Sequence, residues 1–340
     1  MKTEMPKLLL TSSPFLKQAE DTAHIMRQVT YSLFPVVAAS IYYFGWNSLL
    51  IVSASIGGAI VSEWWLGSHQ AGGLRDGSAV LTGLLLALTL PPGIPLWMAF
   101  LGGCTAIILG KLIFGGIGGN VFNPALVGRA FLQAAFPVAI TTWIVPDPVY
   151  YSGFSENLFL APFSRPAIDA ASAATPLADM KFEKIFAGTT NLFWGNSAGS
   201  LGETSVAAII AGGMYLAWRN YLNWRIPLSI FLTVLLLSGI FRYLAPTQFA
   251  PPLFHLFAGG LMLGAVYMAT DPVTSPITQS GCWIFGAGIG ILVIIIRNFG
   301  GLPEGVMYAI LLMNAATPLI NSFTQPKIYG ERTAKNGIDT

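Results

Sequence analysis

The long stretch from Pro146 to Glu203 carries no apolar run of bilayer length, and near its middle stands Asp169-Ala-Ala-Ser-Ala-Ala-Thr175-Pro-Leu-Ala178. A threonine hydroxyl among alanines and serines is unhindered, which is what an enzyme that esterifies threonine needs. The same run also reads as a small-residue loop ended by Pro176, because proline restricts the residue before it and stops regular structure. A second polar group lies in Gly115–Phe131, where Asn120 and Arg129 stand at the edge of an apolar environment. Polar side chains there are costly and usually face a partner, a cavity or a ligand. Exposed amides at a helix start also suit a polar ring edge or an anion. Asn123 fits an N-cap with Pro124 in the first turn. Asp76, next to Arg75, reads as half of a local ion pair. Asp271, between Thr270 and Thr274, reads as a capped or kinked helix end. For both aspartates the functional alternative is a polar lining for an ion or cofactor.

Other chemistries lack their residues. Cys104 and Cys282 are two thiols in or beside apolar runs, and an iron–sulfur cluster needs about four. His24, His69 and His255 are far apart and read as interfacial, without metal-ligand spacing. No phosphate-loop or dinucleotide fingerprint occurs. Glu63, Glu203 and Glu304 read as boundary residues without a proton-transfer role. A net charge of +2 gives no reason to expect nucleic acid as a partner.

The elements that must hold these residues are membrane helices. The 340 residues are 54% hydrophobic and 9% charged, whereas a soluble protein is about a quarter charged. About ten apolar runs approach the ~20 residues that span a bilayer. The first half has Val29–Phe44, Ser48–Leu66, Ser78–Leu90, Pro95–Phe114 and Pro124–Val145. The second has Thr204–Trp218, Ile226–Tyr243, Leu253–Thr270, Cys282–Ile296 and Gly305–Ile320. Five spans per half force two related halves into opposite orientations. Corresponding features support that: a short helix with a proline-marked turn (Leu90-Pro91-Pro92; Asp271 to Pro276), then a basic residue (Lys111; Arg297) and a glycine-rich turn. The expected fold is all-α, with two inverted five-helix repeats and one long extracytoplasmic loop. The expected divisions are 1–28, 29–145, 146–203, 204–321 and 322–340. Residues 15–26 suit a short surface helix, and the N-terminal stretch is too short in its apolar core for a signal peptide. With the N-terminus inside, Lys2, Lys7, Lys17, Arg27, Arg75, Lys111, Arg219, Arg225, Lys327, Arg332 and Lys335 fall on the cytoplasmic side, leaving Arg242 and Arg297 in the short outer loops. Both termini are then cytoplasmic, and residues 146–203 lie outside.

Four motifs in order resemble the RnfD/NqrB family: DGSAVLTGLLLALTLPP from Asp76, GGNVFNPALVGRAF from Gly118, SAATPLA from Ser172 and TDPVTSP from Thr270. The resemblance covers essentially the whole chain, and the length is nearer to the RnfD (RsxD) branch. It implies a multi-pass subunit of a bacterial inner-membrane, ion-translocating ferredoxin:NAD oxidoreductase. FMN would be joined through its phosphate to Thr175 by a separate flavin transferase on the periplasmic side. Asp169, Ser172 and Ala174 match the attachment motif, with Ala173 where the family usually has glycine. It further implies a non-covalent riboflavin in the bundle, with Asn120, Asn123 and Arg129 as first candidates for its contacts and Asp76 and Asp271 after them. The implied partners are the other Rnf subunits (RnfA, RnfB, RnfC, RnfE and RnfG), the transferase and membrane lipid.

The chain is then expected to relay electrons through flavins, coupled to Na⁺ or H⁺ movement, as one subunit of a translocase and not as an enzyme by itself. A channel or secondary transporter for a small solute would explain inverted repeats and broken helices equally well. It leaves Asp169 to Thr175 without a purpose.

Overall fold

The computed structural model describes residues 21–67, 73–144, 156–162, 164, 174–186, 188–195, 197–203 and 205–326. Asp169 and Ser172 of the attachment motif lie outside the described residues, as does His69. Apart from an isolated bridge at Trp143, the regular structure among the described residues is helical. In the first half α1 (Thr22–Ser32) and α2 (Phe34–Phe44) are separated by a break at Leu33, where Pro35 opens the second helix. They are followed by α3 (Trp46–Leu66), α4 (Ser78–Leu88), α5 (Leu96–Gly110), α6 (Pro124–Ala135) and α7 (Pro137–Thr141). Between the halves lie two short helices, α8 (Pro176–Ala178), widened into a further turn at Asp179–Glu183, and α9 (Thr189–Trp194). The second half has α10 (Val206–Trp218), α11 (Arg225–Leu244), α12 (Pro252–Phe257), α13 (Leu261–Leu263), α14 (Gln279–Phe299) and α15 (Val306–Thr324). A π-type turn, Gly264–Met268, extends α13.

Every apolar run read from the sequence contains helix. Five are uninterrupted and long and apolar enough to cross a membrane: α3, α5 with its following turn, α11, α14 and α15. The others are short or broken. Large apolar side chains point away from the bundle along these helices, such as Leu228, Leu232, Leu236 and Ile240 on α11. Exposed Trp46, Trp64, Trp65, Trp218 and Trp224 gather at helix ends, as tryptophan does at the two membrane–water interfaces. The fold is that of a multi-pass membrane protein.

Without a hydrophobic driving force between helices in lipid, small residues must let backbones approach. On α5 a Cβ at Gly103 would stand 2.1 Å from the Ser55 carbonyl of α3. The equivalent pair, α11 and α14, is tied by the Ser229 hydroxyl donating to Trp283 O at 2.7 Å. The correspondence continues: α5 packs on α6 as α14 packs on α15, while α2 meets α10 and α6 meets α15 where the halves join. α5 ends at Lys111, on the face where α14 begins, and α14 ends near Arg297 on the other face. The two halves therefore run antiparallel, as inverted repeats require. Thr324 at the end of α15 bonds Thr278 at the start of α14, and Ile25 and Met26 of α1 line one cavity with Lys111.

The 11-residue α4 is only about 16 Å long at 1.5 Å per residue, half of a ~30 Å hydrocarbon core. Its last carbonyls are not abandoned in the interior. Leu90 O accepts from Leu201 N at 3.0 Å and Leu88 O from Gly202 N at 2.6 Å. The segment before α10 thus seals the end of a half-helix from the other repeat.

Candidate functional site

Thr175 opens α8 as its N-cap: its Oγ1 accepts from Ala178 N at 3.2 Å, and Pro176 takes the first helical position. Two anchors hold this segment against the bundle. Leu177 and Met180 bury their side chains with Leu192, Ala250, Phe254 and Ala258. The Lys181 ammonium donates to Leu302 O at 2.8 Å, and also to Gly300 O, at the end of α14. Gly259, between α12 and α13, has φ +68°, and a Cβ there would lie 2.6 Å from Leu177 Cδ1. A break in a membrane helix thereby becomes the seat of the residue two positions after Thr175.

So placed, Thr175 lines a cavity of about 440 Å³ together with Arg129, Gln133, Glu203, Glu304 and Tyr308. Phe182, Leu192, Phe257 and Met307 supply apolar wall. The polar floor is an ionic cluster drawn from distant elements. Arg129 of α6 donates to Glu304 Oε2 at 2.7 Å, and Glu304 Oε1 accepts from Gly260 N at 2.8 Å. Glu203 accepts from Ser200 N at 3.3 Å through Oε2. Arg297 of α14 is fully buried and donates to Ala258 O at 2.8 Å and to His255 O. Burial and the neighbouring Glu304 carboxylate push Glu203 up to about 8. Burial alone would also raise Glu304, but the Arg129 charge holds it below the usual carboxylate range.

A second, smaller cavity of about 80 Å³ opens on the opposite face, lined by Ser78, Lys111, Asn120, Asn123, Tyr267 and Asp271 among others. Asn123 caps α6 through Oδ1, accepting from Ala125 N at 3.0 Å, while its Nδ2 donates to Met268 O at 3.2 Å in the π-type turn. Asn120 folds on its own loop, accepting from Gly118 N and donating to Phe122 O, both at 3.3 Å. Asp271 accepts from Val273 N at 3.3 Å and the Thr274 hydroxyl at 3.2 Å, the capped turn its sequence suggested. Asp76 reaches this cavity through others: it accepts from Ser78 N and Oγ at 2.8 Å and pairs with Lys111 at 3.1 Å. Lys111 also binds Glu63 at 2.5 Å.

The candidate residues thus separate into two sites. Ala174, Thr175 and Arg129 belong to one cavity; Asn120, Asn123 and Asp271 belong to the other, with Asp76 behind it. Arg129 follows Asn123 by six residues, about 9 Å along α6, enough to change faces in so thin a bundle. Several expectations are corrected. Asp76 pairs with Lys111, the C-cap of α5, a contact no local reading contains, while the Arg75 side chain of the expected local pair lies outside the described residues. Glu63 is buried at 2% exposure, and Glu203 and Glu304 sit inside an ionic cluster, not at a solvated boundary. Lys111 and Arg297 are buried structural cations, not loop charges, and His255 is completely buried instead of interfacial. The signal for Lys111 and Arg297 was their equivalent place in the two halves. Nothing local marked Glu203 or Glu304.

The larger cavity, with Thr175 in its wall, is of a size and lining that suit a small-molecule ligand. Its volume falls within the roughly 300–1,000 Å³ of small-molecule pockets. Its walls combine aromatic and aliphatic side chains with a few convergent polar groups, and Arg129 Nε is buried without a partner. The smaller cavity, well below that range, admits such a ligand only if side chains around it move.

Comparison with known proteins agrees with this architecture. The model of the NQR2, RnfD, RnfE family matches residues 9–330. The D subunit of a proton-translocating ferredoxin:NAD(+) oxidoreductase complex from Clostridium ljungdahlii is 40% identical over 335 residues, 95% of this chain and 96% of that one. The D subunit of an ion-translocating oxidoreductase complex from Yersinia enterocolitica is 39% identical over 95% of this chain and 98% of its own. The protein of the same name from Stutzerimonas stutzeri is 42% identical over 90% and 91%. This chain belongs to the NQR2, RnfD, RnfE family and is a membrane-embedded subunit of an ion-translocating oxidoreductase complex.

Proposed function

We propose that the chain relays electrons within a ferredoxin:NAD oxidoreductase complex, using FMN esterified through its phosphate to Thr175, and that this relay is coupled to Na⁺ or H⁺ movement. The observation that carries the reading is the seat of Thr175 at the wall of a ligand-sized cavity, beside a buried guanidinium. A flavin exchanges one or two electrons, and the protein's part is to fix and tune it. Thr175 Oγ1 would hold the phosphate. Arg129 supplies positive charge to a polar ring edge, and Phe182, Phe257 and Met307 keep water from the ring. Leu177 and Lys181 set the position of the tether. Ester linkage would prevent loss of the cofactor to the outside.

The basic residues near helix ends support a cytoplasmic Lys111 face, with Arg219 and Arg225 on the same side, and Thr175 would then face the periplasm of a bacterial inner membrane. A separate transferase working there, and the remaining Rnf subunits, are the partners this reading requires. A non-covalent riboflavin belongs to the proposal as a ligand of Asn120, Asn123 and Asp271 on the opposite face. The small cavity there would have to widen, and no electron step is assigned to it.

The decisive experiment is in-gel flavin fluorescence of the denatured protein. Thr175→Ala should abolish it and Thr175→Ser should retain it; fluorescence persisting in Thr175→Ala places the covalent site elsewhere. A reporter fused near residue 175 that scored cytoplasmic would refute the attachment route. The opposed cavities and half-length helices also suit a small-solute channel or transporter. A colourless purified chain, with intact mass equal to its polypeptide, would select that reading.

A further inference from the structure

Two carboxyl groups converge over the first residue of the broken second helix. A Cβ at Gly260 would lie 2.7 Å from Glu304 Oε1 and 3.0 Å from Glu203 Oε1. The space a side chain would fill is taken by the acid pair. Glu304 is well supplied with donors, from Arg129 and from the Gly260 amide. Glu203 is not. Among the described residues its Oε2 has one long bond, from Ser200 N, and its Oε1 is buried without a donor. What faces it is Glu304, another acceptor.

The surrounding charges do not relieve this. Arg129 comes from α6 and is engaged by Glu304. Arg297 comes from α14 and spends its bonds on the carbonyls of His255 and Ala258, leaving its buried Nε unpartnered. Tyr308 of α15 and Thr175, the N-cap of α8, also line the cavity, and His255 of α12 stands beyond Arg297. An ionised Glu203 would be a half-buried anion, its Oε1 fully buried and without a dedicated cation, next to a second anion. Two carboxylates so placed cannot both ionise cheaply. A proton on Glu203, by contrast, converts an acceptor–acceptor contact into a hydrogen bond.

We propose that Glu203 and Glu304 form a proton-binding site, holding one exchangeable proton between two carboxyl groups in the wall of the Thr175 cavity. Its existence does not depend on a flavin; its use in coupling rests on the electron-relay reading. In the binding step the Glu203 carboxylate takes a proton from hydronium, an O–H bond forming at Oε1 as one in hydronium breaks and a water molecule leaves, and no electron moves. Negative charge placed in the cavity tightens proton binding and positive charge loosens it. The site would thereby let the proton load follow the charge at Thr175. The upward displacement of Glu203 from the carboxylate range is the behaviour expected of such a pair.

The test is an infrared pH titration of the purified full chain in lipid nanodiscs, following the protonated-carboxyl stretch. Wild type should lose this band with a midpoint near pH 8. Glu203→Gln should lack the titrating band. Glu304→Gln should keep it but shift its midpoint downward, because the neighbouring negative charge is gone while Arg129 remains. Thr175→Asp should shift it upward. A band unchanged in Glu203→Gln, or a midpoint indifferent to Glu304→Gln, overturns the proposal; the second variant decides should the first not fold. Thr175→Ala separates this from the flavin reading. It should remove covalent flavin and leave the titrating band, so either result can fail alone.

Discussion

Arg129 and Glu304 are 175 residues apart in the chain and 2.7 Å apart in space. Among the described residues theirs is the ion pair that joins the first repeat to the second. It also forms part of the wall of the Thr175 cavity, so it links assembly of the halves to the shape of the site. Breaking a buried pair from one side leaves an uncompensated charge, which costs about 3–5 kcal/mol. Glu304 keeps 19% of its side chain exposed, so the lower end applies. Arg129→Met should destabilise by about 3 kcal/mol, read as a drop in thermal unfolding temperature in detergent. Arg129→Met with Glu304→Met should recover most of it. A double variant no better than the single would mean that the two residues act independently.

Lys111 holds two acids at once, Glu63 at 2.5 Å and Asp76 at 3.1 Å, with all three side chains at most 9% exposed. Its removal is expected to cost more than that of Arg129, about 4 kcal/mol, because neither acid has another cation among the described side chains. Asp76 would retain its bonds from Ser78; Glu63, whose Oε2 is already without a partner, would keep nothing. Glu63→Gln in the Lys111→Met background should therefore restore part of the loss, and Asp76→Asn in that background should restore less. Thermal unfolding of the three variants ranks them.

The architecture was legible because lipid allows few solutions. Apolar run lengths, proline-marked turns and basic residues at matching places were enough for inverted repeats of short and long helices. Local chemistry was legible too: Asn123 caps α6 and Asp271 caps its turn as their neighbours imply. What escaped were contacts that only the folded chain creates. Asn123 also bonds Met268, 145 residues away, where a π-type turn frees carbonyls no pattern announces. Glu203 and Glu304 each precede a helix by two or three residues, the usual place of a solvated boundary acid. Their burial follows from the short α4 and the break at Gly259, which draw those helix starts inward. The grouping of Arg129 with Asn120 failed for a related reason. Asn123 and Arg129, six residues or about 9 Å apart along α6, line different cavities.

The Thr175 segment should be positioned separately from the bundle's overall stability. Lys181 donates to carbonyls at the end of α14, where the helix dipole also favours a cation, and no other described basic residue in 174–186 does so. Lys181→Met should leave global unfolding nearly unchanged. Amide hydrogen exchange in 176–183 should rise about tenfold, or ~1.4 kcal/mol of local opening. Equal exchange in the variant and wild type would show that Leu177 and Met180 hold the segment alone.

The acid pair gives stability a definite pH dependence. Glu203 is raised from 4.5 to about 8, so the folded state binds its proton more tightly than the unfolded state does. Its contribution is fully present below the unfolded value and is lost as pH rises through about 8. Glu304 is lowered and works in the opposite sense: its contribution is present above its unfolded value and is lost as pH falls through its depressed one. Between about pH 4.5 and about 8 Glu203 therefore governs. The unfolding temperature of wild type should decline across that window, and Glu203→Gln, which cannot titrate, should flatten the decline. Glu304→Gln moves the fall to lower pH, since Glu203 then ionises more easily beside Arg129. Parallel profiles for wild type and Glu203→Gln would assign the loss in that window to other groups and remove the energetic basis for a shared proton.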